Sequence, residues 1–396
     1  MSAALDILRW PAAVFVGLAL CVIVLTVVLA LAAPLLARRR PRTAATPPFS
    51  FVVPIKAFDD SFDPAQESLF VQDYPDFDIT VTAAEAESPA VSAARRILEA
   101  NPGRPARIVR STARFAASPK VDNLCEAVEN AAHDLIATKD SNIVLPPQAM
   151  SEAVARMTEG VGLVTAITEA CDARNFPAAL ECSLMNQSHG RILYAAQALG
   201  LGFGLGKLMV FRRSDLHRVG GFEAIAHSVG EDSALDHALK NIGLRTVIIS
   251  VPLLQPLGAR SFHDVYHRQL RWSVIRRHNE TLAFLVEPFG LSSAVALAAA
   301  FAAPLVGVSA GVGAGFVLAF WFGCETLLAL ARGWDVSMSA PAIMIARDVV
   351  MLGVWVRAWF TKRVKWAAEV YEAHRECGSL PAPANSAAPV QKRNDR

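Results

Sequence analysis

The chain has little of what a nucleic-acid-binding or disulfide-rich protein needs. Charged residues make up 19% of its 396 residues and the formal net charge is only +2, so bulk charge gives no case for a nucleic-acid partner. Lysine and arginine do not cluster with interleaved aromatic residues. The six cysteines form no C-x-x-C pair, which favours reduced thiols in a cytoplasmic compartment over a zinc site or a disulfide framework.

Repeat and phosphate-loop signatures are also missing. The chain has no internal repeat and no G-x-x-x-x-G-K-S/T phosphate loop. Gly202, Gly204 and Gly206 alternate before Lys207, and a flexible loop is the default interpretation of such a run. Apolar residues, in contrast, make up 53% of the chain, which is high for a soluble enzyme and points to membrane segments.

The first apolar run lies near the N-terminus. Residues 11–37 contain no charged residue and are long enough to cross roughly 30 Å of hydrocarbon. The arginine-rich residues 38–42 follow at once, and the positive-inside rule places that end in the cytoplasm. A cleaved signal peptide is the alternative, but it would carry its positive charge before a shorter apolar run. We therefore expect an uncleaved transmembrane anchor over residues 1–42.

A second apolar zone lies in the last third of the chain. Residues 288–324 carry no charge, and apolar residues continue past Glu325. Because the zone is too long for one span, we expect two spans joined by a tight turn at residues 311–313. We assign residues 288–376 to a C-terminal membrane region with two spans and an interfacial helix or third span.

The interfacial helix is expected over residues 342–360. This stretch is apolar but contains three charged residues: Arg347, Asp348 and Arg357. Charges are costly at the middle of a bilayer, so an interfacial or re-entrant helix is favoured over a span. The positive-inside rule also favours this interpretation, because two spans after the domain leave both Arg332 and the basic cluster at residues 362–365 in the cytoplasm. Residues 377–396 are rich in proline and alanine and are expected to be disordered.

Residues 43–287, between the two apolar zones, alternate between strand and helix patterns. Strands are expected at residues 51–55, 77–83 and 106–110, and helices at residues 63–72, 92–100, 121–138 and 231–241. This alternation predicts one cytoplasmic α/β domain with a mainly parallel sheet and helices on both faces. Ligands of such sheets bind at the carboxyl ends of the strands.

Two acidic motifs are candidates for chemistry in this domain. Asp140 opens D-S-N, where a carboxylate can hold a hard divalent cation that bridges the phosphates of a nucleotide sugar. The same motif is also a common turn or helix cap. Asp232 lies in G-E-D at the start of a predicted helix, where it can act as a general base toward an acceptor hydroxyl. Acids at a helix N-terminus are also favourable through the helix dipole alone.

A basic motif precedes the second apolar zone. In R-Q-L-R-W, Arg271 can pair with a diphosphate and Trp272 can form a wall of an acceptor site. Binding of lipid head groups by a basic amphipathic helix is the alternative. His189, in Q-S-H-G, can hydrogen-bond to sugar or acceptor hydroxyls, although a lone histidine is more often structural.

The order of these motifs is more specific than any one of them. The chain has an anchor, then V-P-I-K, Q-D-Y-P, S-P-K-V-D-N-L, D-S-N-I, S-H-G, G-E-D and R-Q-L-R-W, and then membrane segments. Over about residues 51–279 this arrangement resembles the ceramide glucosyltransferase family. The resemblance implies an inverting glycosyltransferase with a GT-A fold in its α/β domain, an N-terminal transmembrane anchor and C-terminal membrane helices.

The resemblance also implies site residues. It makes Asp232 the catalytic base and Asp140 the ligand of Mg2+ or Mn2+. The family's first aspartate is replaced here within A-E-A-E-S-P-A, where Glu85 can contact the nucleoside instead. The implied donor-binding residues are Lys56, Glu85, Lys120, Asp140, Arg268, Arg271 and Trp272. The implied acceptor-binding residues are His189 and Trp272.

By this likeness a glucose is transferred from UDP-glucose to the primary hydroxyl of ceramide. UDP-galactose and a UDP-uronic acid are alternative donors, because Glu85 is longer than the family's aspartate. A hopanoid-biosynthesis glycosyltransferase and an inactive lipid-binding relative are alternative functions, and a processive polysaccharide synthase would need more spans. The composition is typical of a bacterial protein, so we expect an integral protein of the inner membrane. Its oligomeric state is not predicted.

Overall fold

The structure is a computed structural model of the chain. The described residues are 2–228, 230–336 and 339–361, with the backbone alone at residues 2–6, 363–366 and 369–372. The tail predicted over residues 377–396 lies outside this part, as do the side chains of the basic cluster at residues 362–365. In the described part, an α/β domain is flanked in sequence by apolar helices on both sides.

The centre of the domain is a mixed sheet. Its strands and those of a smaller second sheet are, in chain order, β1 (Phe49–Ile55), β2 (Phe77–Ala83), β3 (Ala106–Arg110), β4 (Leu135–Lys139), β5 (Val161–Thr165), β6 (Thr168–Ala173), β7 (Leu208–Arg212), β8 (Arg245–Ile248) and β9 (Leu253–Gly258). The seven-stranded sheet has the order β3-β2-β1-β4-β7-β5-β8, and β6 pairs with β9. Only β7 runs antiparallel to its neighbours among the described strands of this sheet. The mainly parallel sheet that the sequence predicts is therefore confirmed.

Helices cover both faces of this sheet. The helices up to residue 279 are α1 (Ser2–Arg38), α2 (Phe62–Glu67), α3 (Pro89–Ala100), α4 (Pro119–Glu129), α5 (Ala149–Ala155), α6 (Phe176–Ser183), α7 (Arg191–Leu199), α8 (Arg213–Arg218), α9 (Glu231–Asn241) and α10 (Phe262–Asn279). A π-helical segment, Leu184–Gly190, joins α6 to α7. Along β1, Phe51 and Val53 enter one apolar core whereas Val52 enters the other, as the period of a strand buried on both faces requires.

One predicted helix is wrong in its second half. The pattern over residues 121–138 predicted a single helix, but α4 ends at Glu129 and residues 135–139 form β4. β4 is buried between β1 and β7, and strand pairing there overrides the helical periodicity of its side chains. Asp140 therefore follows a strand, at the edge of the sheet where ligands bind. The predicted helix at residues 63–72 is also shorter, since α2 ends at Glu67.

The C-terminal part is helical up to residue 360. It contains α11 (Thr281–Val286), α12 (Ser292–Ala302), α13 (Ala310–Arg332) and α14 (Ala340–Phe360), followed by a hairpin of β10 (Arg363–Trp366) and β11 (Glu369–Glu372). Within the described residues, Ile7–Arg38 and Ala310–Arg332 are long and apolar enough to cross a membrane, and a bent pair of helices over Thr281–Gly290 and Ser292–Val306 would make a third crossing.

The turn predicted at residues 311–313 is misplaced. α13 already begins at Ala310, so the chain turns before these residues. Gly313 instead lies at a close helix crossing, because a Cβ at this position would lie 2.8 Å from Ala303 Cβ and 2.9 Å from the Ala299 carbonyl oxygen. The glycine allows α12 and α13 to approach closely, as small residues do between membrane helices.

The N-terminal helix is attached to the α/β domain as well as to the membrane helices. α1 packs along α7 and against α12 and α13. Just after α1, Arg40 donates a hydrogen bond to the Gln197 carbonyl in the last turn of α7. A cation at the C-terminal end of a helix complements its exposed carbonyl groups.

Candidate active site

Lys120 joins two acidic motifs at the carboxyl edge of the sheet. Its side chain is 7% exposed, and its Nζ lies 2.7 Å from Asp140 Oδ1 and 2.9 Å from Glu231 Oε1. It also donates to the Gly206 carbonyl at 2.7 Å. Burial alone would lower the pKa of Lys120, but the charges of Asp140 and Glu231 outweigh burial and raise it. Lys120 is thus an ammonium that ties together three segments distant in sequence.

Asp232 opens α9 directly after Glu231. Its Oδ2 accepts a hydrogen bond from the Gly206 N–H at 2.8 Å, and its Oδ1 accepts one from the Ser233 N–H at 2.9 Å. Burial and the adjacent charge of Glu231 raise the pKa of Asp232 to about 6. Such a carboxylate is mostly ionised at neutral pH and accepts a proton more readily than an ordinary aspartate, which suits a general base.

The glycine run is a loop, as its default interpretation has it, and it packs against the start of α9. A Cβ at Gly204 would lie 2.1 Å from the Asp232 carbonyl oxygen, and a Cβ at Gly202 would lie 2.0 Å from the Thr246 carbonyl oxygen. No larger residue fits without a backbone shift. The run leads into β7, and the antiparallel direction of that strand brings the run to the same edge of the sheet as Asp140.

A group of basic side chains lies beside Asp140. Lys207 Nζ is 5.9 Å from the centroid of the Trp272 ring. Burial lowers the pKa of Lys207 to about 8. The charge of Asp140 opposes this shift, whereas the charges of Arg268 and Arg271 add to it. Burial, followed by the charge of Arg268, lowers the pKa of Arg271 to about 10. Cations held together in this way create a positive potential that favours binding of an anion.

His189 and Trp272, the acceptor-binding residues that the resemblance implies, are neighbours. The ring centroids of His189 and Trp272 lie 6.3 Å apart, and His189 belongs to the π-helical segment Leu184–Gly190. Burial, followed by the charges of Arg276 and Arg347, lowers the pKa of His189 to about 3. The imidazole is therefore neutral at physiological pH, and one of its ring nitrogens is a hydrogen-bond acceptor.

Lys56 and Glu85 lie further along the same edge. Lys56 directly follows β1 and Glu85 follows β2, and the parallel register pairs Ile55 with Ala83. β4, which ends next to Asp140, is the other neighbour of β1. Both side chains are exposed, so the structure places them on the ligand-binding edge while their donor-binding role stays a prediction.

Three site residues were not among the sequence candidates. Glu231 pairs with Lys120, and Glu181, 1% exposed, lies 2.9 Å from Arg268. Lys207 donates to the Gln255 side chain at 3.0 Å. The acidic doublet at the start of α9 could have pointed to Glu231, and the glycine run to Lys207. Glu181 lies inside α6 with no motif around it, so only the fold reveals it.

Two arginines in the last turn of α10 contact neighbouring segments of the protein. Arg276 lies 2.7 Å from Glu287, and Arg277 donates to the carbonyl groups of Trp359 at 2.6 Å and Thr361 at 3.0 Å. These two cations hold the turn after α11 and the end of α14 against α10. The head-group interpretation of α10 stays an alternative prediction.

Asp140 is also the residue at which the resemblance places a divalent cation. Within the described residues no group of three or more histidine, cysteine, aspartate or glutamate side chains is placed to hold a metal. Mg2+ commonly binds one or two carboxylates and takes its other ligands from substrate phosphates and water. The Asp140 side chain is 30% exposed and fits that pattern when a diphosphate is present.

The fold is that of the GT-A class of glycosyltransferases. A mannosyltransferase from Pyrobaculum calidifontis, solved in complex with GDP-Man and Mn2+, has a TM-score of 0.50 to this chain, with 21% sequence identity, covering 83% of this chain and 98% of the other. Residues 12–377 match Glycosyl transferase family 21, and the chain belongs to this family.

Two curated relatives come from Caenorhabditis elegans. Ceramide glucosyltransferase 1 is 26% identical over 244 residues, which are 61% of this chain and 52% of the relative. Ceramide glucosyltransferase 3 is 24% identical over 335 residues, which are 83% of this chain and 73% of the relative. The match thus spans about half the length of the first of these proteins.

Proposed function

We propose that the protein is a membrane-bound inverting hexosyltransferase that transfers one glucose from UDP-glucose to the primary hydroxyl of ceramide. Family membership and the names of the curated relatives support a glycosyltransferase with a lipid acceptor. The observation that carries the proposal is the junction at Lys120, whose Nζ lies 2.7 Å from Asp140 and 2.9 Å from Glu231, so that the half-buried Asp232 is close to the edge of the sheet that carries Asp140.

The donor is bound by the positive group next to Asp140. Lys207 and Arg271 hydrogen-bond to the diphosphate oxygens, and their excess of positive charge favours the leaving UDP. Asp140 would hold Mg2+ or Mn2+ here, and the ion would supply Lewis-acid stabilisation of the leaving diphosphate. Lys56 and Glu85, at the ends of β1 and β2, face the nucleoside part of the donor.

Asp232 activates the acceptor. One of its carboxylate oxygens takes the proton of the acceptor hydroxyl while the hydroxyl oxygen forms a bond to the anomeric carbon. The bond between that carbon and the diphosphate oxygen breaks in the same step, so the configuration inverts. His189 and Trp272 hold the acceptor, the first through its imidazole and the second through its ring face.

The lipid acceptor suits the apolar helices on both sides of the domain. Exposing each buried methylene of a two-chain lipid to water costs roughly 0.8 kcal/mol, so the lipid stays in the bilayer and the site must be near it. α10 carries Trp272 and is followed directly by α11 and α12, which belong to the bent apolar pair. The cleft is the space between Asp140, Asp232 and Trp272, and its acceptor side is thus next to the apolar helices.

The test is expression in a host that lacks glycosphingolipids, followed by mass spectrometry of its lipids. The proposal predicts a monohexosyl ceramide. A hexuronosyl ceramide would change the donor, a modified hopanoid would change the acceptor, and a product with many sugars would indicate a processive synthase. A folded, inserted protein that releases UDP from no donor would indicate an inactive lipid-binding relative and overturn the proposal.

A further inference from the structure

A buried polar network connects the C-terminal helices. On α14, Arg347 is 3% exposed and Asp348 is 1% exposed. Arg347 Nη1 lies 2.9 Å from Glu325 Oε2 on α13, and its Nε lies 3.3 Å from Asp348 Oδ1. Two of the three charges that made α14 a poor candidate for a membrane span, Arg347 and Asp348, are therefore paired inside the protein, which greatly reduces their cost in an apolar environment, whereas Arg357 is exposed.

The network is also anchored at its far end. Asp348 Oδ2 accepts hydrogen bonds from Ser292 Oγ at 2.6 Å and from the Ser293 N–H at 2.8 Å, so it caps the N-terminus of α12. Glu325 Oε1 accepts a hydrogen bond from Trp321 Nε1 at 3.1 Å. With these partners, the position of Arg347 is fixed by three helices.

The near end of the network reaches the π-helical segment Leu184–Gly190. Arg347 Nη1 donates to Ser183 Oγ at 3.4 Å, and Ser183 Oγ donates to Gln187 Oε1 at 2.7 Å. Gln187 lies two residues before His189 in this segment. Only two hydrogen bonds therefore separate the guanidinium from the segment that carries the acceptor-side histidine.

The segment has a second attachment on its other side. Asn186 accepts from the Ala170 N–H at 2.8 Å and donates to the Ala170 carbonyl at 2.9 Å. A π-helical turn is rare and is found mostly at functional sites. Here its conformation is defined between β6 in the domain and Arg347 in the helical region.

We propose that Arg347 is a positioning residue for the acceptor. Acting through Ser183 and Gln187, it sets the π-helical segment so that His189 stands beside Trp272. Arg347 touches neither the donor-binding residues nor the reacting atoms, so weakening its link changes how the acceptor is used and leaves donor binding intact. This inference rests on the proposed function, because it assigns His189 and Trp272 to the acceptor.

The test compares two matched serine variants. Ser183→Ala removes the hydroxyl between Arg347 and Gln187, and Ser292→Ala removes a hydroxyl at the far end of the same network. Both leave Arg347 paired with its carboxylates. Rates are measured with UDP-glucose and a fluorescent short-chain ceramide in lipid nanodiscs. Ser183→Ala is expected to raise KM for the ceramide roughly tenfold and to leave KM for UDP-glucose unchanged, whereas Ser292→Ala changes neither.

A double-mutant cycle measures the coupling between Ser183 and Gln187, which general destabilisation of the protein would not change. Gln187→Ala is expected to give the same acceptor defect as Ser183→Ala, with no further loss in the double variant. The positioning role is overturned if both serine variants lose donor and acceptor affinity in parallel. It is also overturned if the acceptor defects of Ser183→Ala and Gln187→Ala add in the double variant. If the wild-type protein forms no product with any donor, the proposed function itself fails, and the positioning role with it.

Discussion

Two groups of charged side chains in this molecule, one in the cleft and one between the C-terminal helices, differ in their arrangement. In the cleft, Lys120 is paired with Asp140 and Glu231, but like charges are adjacent around that junction: Glu231 precedes Asp232, and Lys207 lies near Arg271. Several of their pKa values are shifted toward the neutral form as a result of burial and of these neighbours. Between the C-terminal helices, Arg347 has an opposite charge at 2.9 Å and another at 3.3 Å.

The difference separates a site that needs a ligand from a network that does not. Adjacent like charges are unfavourable in the empty protein and become favourable when a ligand of opposite charge or a proton arrives, which is why shifted pKa values cluster at functional sites. A network in which each charge has an opposite partner and the carboxylate oxygens are hydrogen-bonded gains little from a ligand and instead fixes the positions of helices. The following variants test this contrast, from the largest expected effect to the smallest.

Asp232→Asn should give the largest loss of activity. The amide keeps the size of the side chain but cannot take the acceptor proton, so transfer is expected to fall by about 100- to 10,000-fold. UDP affinity, measured by calorimetry, should not change. Asp236→Asn on the same helix is the control, because Asp236 lies 2.8 Å from Lys240 and should affect stability alone. Equal activity of the two variants would remove Asp232 from the mechanism.

Arg347→Met should give the largest loss of stability. It leaves the buried carboxylates of Glu325 and Asp348 without their common partner, and breaking such a pair costs about 3 to 5 kcal/mol. Thermal unfolding in detergent measures the loss, and the double variant with Glu325→Gln should recover part of it. An unchanged melting temperature would show that the network is not structural.

Arg271→Lys tests the positive group in the cleft. A lysine keeps the charge but loses the planar pair of donors that suits a diphosphate, so KM for the donor should rise about tenfold. Arg277→Lys on the same helix is the matched control, since Arg277 binds carbonyl groups at the end of α14. If both variants raise KM for UDP-glucose alike, the effect comes from α10 as a whole.

Lys139→Met should increase the free energy of unfolding, whereas Arg347→Met should decrease it. Lys139 is fully buried, and its Nζ has no hydrogen-bond partner among the described residues. Burial lowers the pKa of Lys139 to about 7 from an ordinary 10.5, against the charge of Asp140. Its protonated form therefore destabilises the fold fully below about pH 7, and the penalty disappears as the pH rises toward 10.5.

The gain expected for Lys139→Met is about 1 to 3 kcal/mol at pH 6, as for removal of an unsatisfied buried polar group. Chemical denaturation at several pH values measures it. The difference between variant and wild type should shrink as the pH is raised to 10. A variant that is less stable at pH 6 would mean that the ammonium has a partner in solution.

The smallest effect is the pH dependence of the rate. Asp232 must be ionised to accept a proton, and its pKa is raised to about 6 by burial and Glu231. The value of kcat/KM should therefore be level above this pH and fall about tenfold per unit well below it. A profile that stays level down to pH 5 would contradict the environment described for Asp232.

Much of the domain follows from local sequence patterns. The strands predicted at residues 77–83 and 106–110 match β2 and β3 at both ends, and the helix predicted at residues 231–241 matches α9. These elements have a clear period and clear ends, so neighbours in the fold do not change them. Asp140 and Asp232 could be selected because each lies in a short acidic motif at the end of an element.

The features that escaped prediction depend on contacts distant in sequence. Residues 135–139 are amphipathic enough for a helix and become β4 only because β1 and β7 pair with them. The glycine run lies at the same edge of the sheet as Asp140 only because the strand that follows it, β7, is antiparallel to β4. Glu181 and the link from Arg347 to Ser183 join segments that no local pattern connects. Sequence motifs therefore pointed to the proposed reactive groups but not to the residues that contact them.

The first helix has a consequence for how a lipid meets the cleft. α1 has 37 residues and is about 55 Å long, well beyond the roughly 30 Å of hydrocarbon in a bilayer. It also packs along α7 and is followed by Arg40 at the end of that helix, so it is attached to the domain over part of its length. For the lipid acceptor proposed above, this attachment holds the domain at one depth relative to the bilayer, so the encounter with the acceptor is a lateral search in two dimensions.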